Sequence, residues 1–269
     1  MNWIRRCKLL AIEAIKYNGH LCLSPESLWD ALHSMFNTTL NHQVDLNILN
    51  DIERKPSSQW FPFSKEKFKQ AISNCNNSSA SGPDKLTWRY LKSIINQDDY
   101  LINIINIANL CFELGHWPNY FKYLSTIIIL KPNKTSYDQP KAFRPIVLLN
   151  TLGKLIKKVI AERLQFTVTS NDFIHLSQLG GLKFKSTIDA SVVLTYIVRS
   201  GWVKGKTTST LAFDISQFFS SLNHQLLTLI LEKVGLKSKV SSFFTNYLVK
   251  RKMNYIWNDL HSPDFKINV

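Results

Sequence analysis

Cysteine and histidine are too scattered in this sequence to form a recognisable metal site. The four cysteines form no CxxC pair, and no histidine stands beside them to complete a zinc site. They are Cys7, Cys22, Cys75 and Cys111. The seven histidines are equally dispersed, which argues against a metalloenzyme built on a histidine cluster. We therefore expect free thiols in a reducing compartment.

Long apolar runs are also missing. The most apolar short run, Leu124 to Leu130, is far below the ~20 residues that a membrane-spanning helix needs. The first residues, Met1 to Lys8, lack the apolar core and cleavage site of a signal peptide. We find no internal repeat. These features predict a protein of the cytoplasm or nucleus that neither spans nor enters a membrane.

Acidic residues are scarce relative to basic ones. The chain has 33 Lys and Arg against 19 Asp and Glu, which gives a net charge of +14 and a pI near 9.6. Because 45% of the residues are apolar, a folded core is expected rather than a disordered basic tail. A folded chain this basic favours a polyanionic partner, with nucleic acid well ahead of an anionic membrane surface or an inert basic surface.

Hydrophobic periodicity predicts an α+β protein with helices packed on a small antiparallel sheet. The predicted helices cover approximately residues 64–72, 88–95, 100–114, 152–164, 187–199, 222–234 and 240–248. The predicted strands cover approximately residues 126–130, 146–149, 208–215, 253–257 and 265–269. Gly115 and Gly235 are expected to end the helices before them. We divide the chain into a helical lead-in or linker (1–60), a helical extension (61–125) and a main region (126–269).

One carboxylate stands at a position suited to metal-dependent chemistry. An apolar predicted strand, Leu211 to Ile215, carries Asp214 near its end. Carboxylates at strand ends can hold Mg²⁺ rigidly for phosphoryl or nucleotidyl transfer. For Asp214 taken alone, an aspartate that ends a strand and caps the next helix is the more ordinary explanation. Asp84, in a Ser-Gly-Pro-Asp turn, is interpreted as a turn or helix-cap residue.

Three basic residues lie within one short segment around a predicted strand and turns. Lys131, Lys134 and Arg144 could grip a triphosphate, the arginine by a forked contact and each lysine as a point charge. A solvated basic loop would contain the same residues. Further on, Gly180 and Gly181 could let the backbone approach a template closely, or could form a plain turn.

The ordered series of motifs is more informative than any single motif. The series comprises Ser81-Gly-Pro-Asp-Lys85, Ile128-Ile-Leu-Lys-Pro-Asn-Lys134, Phe143-Arg-Pro-Ile-Val-Leu-Leu-Asn-Thr-Leu-Gly-Lys154, Arg163-Leu164, Ser177-Gln-Leu-Gly-Gly-Leu-Lys-Phe-Lys-Ser-Thr-Ile-Asp-Ala190 and Phe213-Asp214. In order and spacing it closely resembles the reverse transcriptase of non-LTR (LINE-type) retrotransposons. The phrases around Phe143 and Leu211 resemble elements of fungal genomes most. The resemblance covers approximately residues 61–269 and implies the fingers and part of the palm of a right-hand polymerase.

The resemblance implies roles for the residues around the aspartate. Asp214 matches the first catalytic aspartate, a ligand of both Mg²⁺ ions, and Ile215 would offer its backbone carbonyl to one of them. Gln217 and Phe218 match positions whose backbone amides face the incoming triphosphate. Phe219 matches the bulky residue that excludes a 2′-hydroxyl and so favours dNTPs.

The resemblance also implies contacts to the nucleotide and the template. Lys131 or Lys134 matches the fingers lysine on the triphosphate, and the sequence leaves open which. Arg144 matches the fingers arginine that stacks on the incoming base and binds phosphate. The segment 178–187 matches a template-side segment, and its candidate contacts are Gln178, Gly180 and Gly181.

The sequence departs from the family pattern after its first catalytic aspartate. The family continues with a Gly/Pro-Gln-Gly motif, an Asp-Asp hairpin and a thumb, none of which is found before Val269. The Asp98-Asp99 pair lies on the wrong side of Asp214 to replace the hairpin. One carboxylate cannot hold two Mg²⁺ ions ~3.5–4 Å apart. We therefore expect a truncated polymerase domain that is inactive alone, with Mg²⁺ bound only if a downstream polymerase fragment completes the site.

The expected partners are an RNA template, a DNA primer and dNTPs. Two alternatives stay open from sequence. The chain could be a non-catalytic nucleic-acid-binding remnant of a mobile element, or a helical module that binds an acidic protein partner. No endonuclease signature is found, so DNA nicking is not predicted.

Overall fold

The computed structural model describes residues 14–37, 44–57, 59–215, 218, 222–257 and 260–267. It divides into two compact units, the first made of residues 1–160 with 217–269 and the second of residues 161–216. Helix and sheet are mixed in the first unit, as expected, whereas the described elements of the second unit are helical.

The α-helices of the described residues are α1 (Pro25–Phe36), α2 (Lys65–Ser73), α3 (Trp88–Ile95), α4 (Asp98–Glu113), α5 (Thr151–Ser170), α6 (Thr187–Val203), α7 (His224–Lys233) and α8 (Ser238–Leu248). The strands are β1 (Ile15–Tyr17), β2 (His20–Cys22), β3 (Tyr123–Leu130), β4 (Phe143–Leu148), β5 (Arg251–Trp257), β6 (Leu260–His261) and β7 (Phe265–Ile267). Short 3₁₀ helices cover Leu46–Asp51, Asn119–Lys122 and Pro140–Ala142.

The main sheet is mixed, so the expectation of an antiparallel sheet was wrong. Its strand order is β4-β3-β5-β6, and β7 also pairs with β5. Strands β3 and β4 form an antiparallel hairpin, whereas β3 and β5 run parallel. Parallel pairing needs a long crossover connection, and more than a hundred residues with several helices separate β3 from β5. Strand periodicity cannot distinguish the two pairings, because it reports only which side chains share a face.

A two-stranded hairpin, β1–β2, precedes α1. Its turn is Asn18-Gly19, with φ of 49° and 81°, the left-handed pair that a tight hairpin turn requires. This Asn-Gly dipeptide is a sequence signal for a hairpin, which the reading of this region as helical overlooked. The backbone N–H of Lys16 donates to the carbonyl of Asp138 at 2.6 Å, which ties β1 to the loop that precedes β4.

Helix α1 covers one face of the main sheet. Trp29 stacks parallel to the Tyr255 ring of β5, with ring centroids 6.2 Å apart, and Leu32 is fully buried beside it. Ile15 of the first hairpin and Leu124 of β3 belong to the same core. Burial of this apolar surface is the main favourable term in holding the N-terminal elements on the sheet.

The helix ends predicted at glycines are confirmed. After α4, Gly115 has φ +59° and its N–H donates to the carbonyl of Phe112, while His116 N–H donates to that of Cys111. Gly235 ends α7 with the same pair of hydrogen bonds. Both follow the Schellman pattern, in which the left-handed residue lets the chain satisfy the last carbonyls of the helix.

The second unit contains α6 and a segment that does not become a strand. Ser186 and Asp189 form a capping box at the start of α6, and Gly205 (φ +65°) ends the helix. The segment 206–215 has no ladder pairing, so the strand predicted over 208–215 was wrong. β-branched residues stabilise a strand only where neighbouring strands supply hydrogen bonds and packing. Those neighbours are absent among the described residues.

Within the described ranges, no helix is both long and apolar enough to cross a membrane.

Cys22, Cys75 and Cys111 are free and buried, and Cys7 lies outside the described residues. Burial raises the pKa of the Cys111 thiol to about 11, so this cysteine is a protonated core residue at neutral pH.

Candidate functional site

The β3–β4 hairpin brings the candidate triphosphate residues together. Ile129 pairs with Arg144, and the ladder continues where the N–H of Lys131 donates to the carbonyl of Ala142 at 2.9 Å. Because side chains alternate between the faces of a strand, Lys131 lies on the same face as Ile129 and its partner Arg144. The hairpin therefore presents both cations on one face at its tip.

The three candidate cations lie close enough to affect one another electrostatically. The pKa of Lys131 is lowered by partial burial, and further by the positive charges of Lys134 and Arg144. No carboxylate contributes to this shift. Like charges held close together are unfavourable in the absence of an anion, and a polyphosphate would offset that cost.

The two candidate lysines differ in their environment. The Lys131 ammonium donates to the carbonyl of Lys141 at 2.8 Å, and the Lys131 carbonyl accepts from the Tyr137 hydroxyl at 2.8 Å. Lys131 is thus held against the hairpin. Lys134 is exposed, directly after a turn in which Asn133 has φ +58°. The Lys131 ammonium is therefore held by the hairpin, whereas the Lys134 side chain is open to solvent.

A loop that contains the Ser-Gly-Pro-Asp turn supports the base of this hairpin. The Asp84 carboxylate accepts from the Thr151 N–H at 2.6 Å, and the Asp84 N–H donates to the Asn150 side chain at 3.1 Å. Thr151 is the first residue of α5, so the interpretation of Asp84 as a turn or helix-cap residue is confirmed. At Gly82, an added Cβ would overlap the carbonyl of Leu149, the residue that follows β4.

The candidate template-side residues lie in the second unit, in a run of turns before α6. Gly181 has φ +74°, and a Cβ at either Gly180 or Gly181 would meet nothing within 4 Å. The Gln178 amide donates to the carbonyl of Gly180 at 3.2 Å, and the Lys185 ammonium donates to that of Gln178 at 3.2 Å. The glycines are therefore used for a turn here, and their surroundings are open.

The candidate catalytic carboxylate is exposed. Asp214 lies in the irregular segment before residue 216, between Phe213 (86% exposed) and Ile215 (65% exposed). Phe218 is described and 46% exposed. Gln217 and Phe219, for which the sequence predicts contacts to the nucleotide, lie outside the described residues. Asp214 belongs to the second unit and the cationic hairpin to the first.

The donors around Asp214 fit Mg²⁺ in type but not in number. A carboxylate and a backbone carbonyl are the hard oxygen ligands that Mg²⁺ takes. Among the described residues, no group of three His, Cys, Asp or Glu side chains could hold a metal ion. A two-metal site needs carboxylates beyond Asp214.

Comparison with known proteins gives a consistent family. A family model described as reverse transcriptase (RNA-dependent DNA polymerase) matches residues 129–264, half of the chain. The match includes the hairpin cations, the turns at 178–181 and Asp214.

Three mobile-element proteins are similar to this chain. A Pol polyprotein from the type-1 retrotransposable element R2 of Popillia japonica is 25% identical over 143 residues, 53% of this chain and 19% of that protein. A probable RNA-directed DNA polymerase from transposon BS of Drosophila melanogaster is 26% identical over 212 residues, 79% of this chain and 22% of that protein. The RNA-directed DNA polymerase from mobile element jockey of Drosophila funebris is 31% identical over 103 residues, 38% of this chain and 11% of that protein. The chain thus spans about a fifth or less of each relative.

Proposed function

This chain belongs to the reverse transcriptase (RNA-dependent DNA polymerase) family, and we propose that it forms the fingers and first part of the palm of a non-LTR retrotransposon polymerase. Its similarity to R2, BS and jockey proteins supports a LINE-type element. The likeness to fungal elements stays a prediction.

The cationic hairpin is the observation that carries the proposal. Lys131 and Arg144 share one face of the β3–β4 hairpin, Lys134 adds a third charge, and no carboxylate shifts the pKa of Lys131. A triphosphate needs several converging cations, and arginine can bind two phosphate oxygens at once. We assign these residues to the incoming dNTP, with Lys131 as the contact held by the hairpin and Lys134 as the exposed one.

Asp214 is assigned as the first catalytic carboxylate, with Ile215 offering its carbonyl to the same metal. Mg²⁺, when bound, would neutralise charge that develops on the transferred phosphate. Gln217, Phe218 and Phe219 would line the sugar and triphosphate. Because one carboxylate cannot hold two ions, DNA synthesis needs further carboxylates beside Asp214. A polymerase fragment that supplies the remaining carboxylates would complete the site.

The turns at 178–181 are assigned to the template strand. Gln178, Gly180 and Gly181 are exposed, and the absence of side chains at the two glycines lets a nucleic-acid backbone approach closely. A non-catalytic nucleic-acid-binding role is the second candidate, and the charge of +14 favours it. Binding to an acidic protein has no observation of its own beyond this charge.

Primer extension tests the polymerase assignment. The chain and an Asp214→Ala variant are compared on a poly(rA)/oligo(dT) template with Mg²⁺ and dTTP. Incorporation is expected where further carboxylates complete the site beside Asp214. Incorporation by the unmodified chain that vanishes in the variant would show that Asp214 is catalytic, and incorporation that the variant retains would contradict its assignment.

Nucleotide binding tests the hairpin independently of chemistry. Titration of primer–template-bound protein with dTTP is compared for Lys131→Gln, Arg144→Gln and a control, Lys141→Gln, an exposed lysine of the same hairpin. Loss of one charged hydrogen bond is worth about 1.5–3 kcal/mol, so the first two variants should bind roughly 10-fold or more weakly. Equal affinities of all three variants for dTTP would contradict the assignment of the hairpin cations to the triphosphate.

A further inference from the structure

A second group of cations lies at the other end of β3. Tyr123 of β3 pairs with Lys252 of β5, and the two strands run parallel. The preceding residues, Lys122 and Arg251, therefore lie side by side where both strands begin. Lys250 precedes Arg251 in the link from α8, with φ +57° and an exposed side chain.

Lys122 is unusual because its side chain is buried. It is 3% exposed, and its ammonium donates to the Asn246 side-chain oxygen at 3.0 Å. The same oxygen accepts from the backbone N–H of Trp117 at 2.8 Å. The pKa of Lys122 is lowered first by burial and then by the charges of Lys250 and Arg251. Burying a lysine beside two other cations is costly unless an anion joins them.

Arg251 is held rigidly and keeps unused hydrogen-bonding capacity. Its Nε donates to the Tyr247 carbonyl at 2.9 Å, and its guanidinium lies 4.1 Å from the centre of the Tyr247 ring. Its Nη2 is enclosed and has no hydrogen-bond partner among the described residues, and the same holds for Nδ1 of His224. The pKa of His224 is lowered by burial and by the charge of Arg251, so His224 belongs to the same group.

Among the residues that the structure describes, no acidic side chain forms an ion pair with this cluster. The ion pairs of the described residues join Lys55 to Glu53 and both Lys65 and Lys69 to Asp98. Asp264 accepts a hydrogen bond from the Tyr123 hydroxyl at 2.8 Å and does not contribute to the pKa of Lys122. The cluster is thus a concentrated, uncompensated positive charge on a rigid strand end.

We propose that Lys122, Lys250 and Arg251 form a second phosphate-binding site, which takes a phosphodiester of a nucleic-acid strand. The exposed ammonium of Lys250 contacts the phosphate directly, and the partly buried guanidinium of Arg251 and the buried ammonium of Lys122 add positive charge beneath it. The anion site stands on the first unit alone. Only the identification of its ligand as nucleic acid rests on the proposed function.

The second site is separate from the cationic hairpin. Strand β3 has eight residues between Lys122 and Lys131, which at about 3.3 Å per residue places the two cation groups roughly 25–30 Å apart. One phosphate cannot reach both. A bound strand that contacts both ends of β3 would be held at two points along its backbone.

Salt-dependent RNA binding tests the proposal. Anisotropy of a fluorescein-labelled single-stranded RNA is measured with the full chain over a range of KCl concentrations. The variants are Lys250→Gln, Arg251→Gln and the matched control Lys252→Gln, an exposed lysine on the same strand. Each lost phosphate contact should reduce the magnitude of the slope of log affinity against log salt by about 0.7. The control variant Lys252→Gln should reduce this slope clearly less. Equal slopes for control and cluster variants overturn the site.

A local signal separates this proposal from the proposed function. The ¹⁵N-detected Nε–H of Arg251 should shift when the RNA is added, including in an Arg144→Gln background. RNA binding with an unmoved Arg251 signal overturns the second site and leaves the polymerase assignment intact. The absence of RNA binding would contradict both the second phosphate-binding site and the polymerase assignment. A shift of the Arg251 signal that is equally large with polyglutamate would assign the cluster to an acidic protein instead. Because Arg251 packs on Tyr247, Lys250→Gln provides the result if Arg251→Gln does not fold.

Discussion

The carboxylate of Asp84 accepts a hydrogen bond from the backbone N–H of Thr151, 2.6 Å away and 67 residues further along the chain. Because Thr151 begins α5, Asp84 caps this helix from another segment. A second carboxylate oxygen accepts from the Leu86 N–H at 3.3 Å. This pair of bonds joins the loop before α3 to the point where the cationic hairpin passes into α5.

Removing the Asp84 carboxylate should therefore destabilise the first unit. We expect Asp84→Ala to lower the free energy of unfolding by about 1–2 kcal/mol, since a first-turn N–H of α5 loses its acceptor. Asp84→Asn keeps an oxygen acceptor and should cost less. Urea denaturation followed by circular dichroism gives both values. Equal losses for the two variants would contradict a capping role and indicate that charge matters instead.

Next to this cap, Gly82 lies against the backbone that follows β4, and a substitution can test this contact. In Gly82→Ala the new methyl group would overlap the Leu149 carbonyl and lie 2.7 Å from the Asn150 nitrogen, so backbone would have to move. We expect a loss of about 1–3 kcal/mol or more, as for other overpacked sites. Gly180→Ala is the matched control because its methyl group would meet nothing within 4 Å. Comparable melting temperatures for both variants would refute the tight contact.

The sequence predicts most helices and the main strands because each carries its own apolar period or cap signal. Gly115 and Gly235 end their helices as predicted, and Ser64 precedes α2 as its cap position. The Ser-Gly-Pro-Asp motif indicates a turn or cap, but the helix that Asp84 caps is set by tertiary structure alone. The cluster around Lys122 was missed for the same reason, since Lys122 and Arg251 meet only through the β3–β5 pairing.

Stability should depend on pH through His33. Its Nδ1 lies 3.0 Å from the Tyr255 hydroxyl, and its ring stacks on Phe265 at 4.4 Å. Burial lowers its pKa below the usual 6.5, against a smaller raising effect of Asp30. The unfolded chain then binds more protons than the folded one as pH falls through about 6.5, so stability decreases there and levels off below the folded pKa.

His33→Gln should therefore flatten the dependence of unfolding free energy on pH between neutral pH and about 5.5. His224, whose pKa is also lowered, acts in the same direction, so only the double variant should lose most of the slope. His20→Gln, an exposed change in β2, is the control. The measurement is the urea midpoint at several pH values. An unchanged slope in His33→Gln would mean that His33 is not held neutral by its surroundings.

The apolar face of α6 makes a different prediction, because it is exposed in the second unit. Ile188 is 71% exposed, Val192 62% and Tyr196 71%, at the spacing of one helix face. Contiguous apolar surface of this kind usually marks an interaction face. The neutral dye Nile red should therefore fluoresce strongly with the folded chain, and Ile188→Gln with Val192→Gln should reduce the emission without lowering the melting temperature. Leu114→Gln is the control, since Leu114 is 72% exposed but belongs to the first unit. If emission is unchanged in the double variant, these side chains are covered in solution, and the segment 206–215 that follows α6 is the first place to look for the cover.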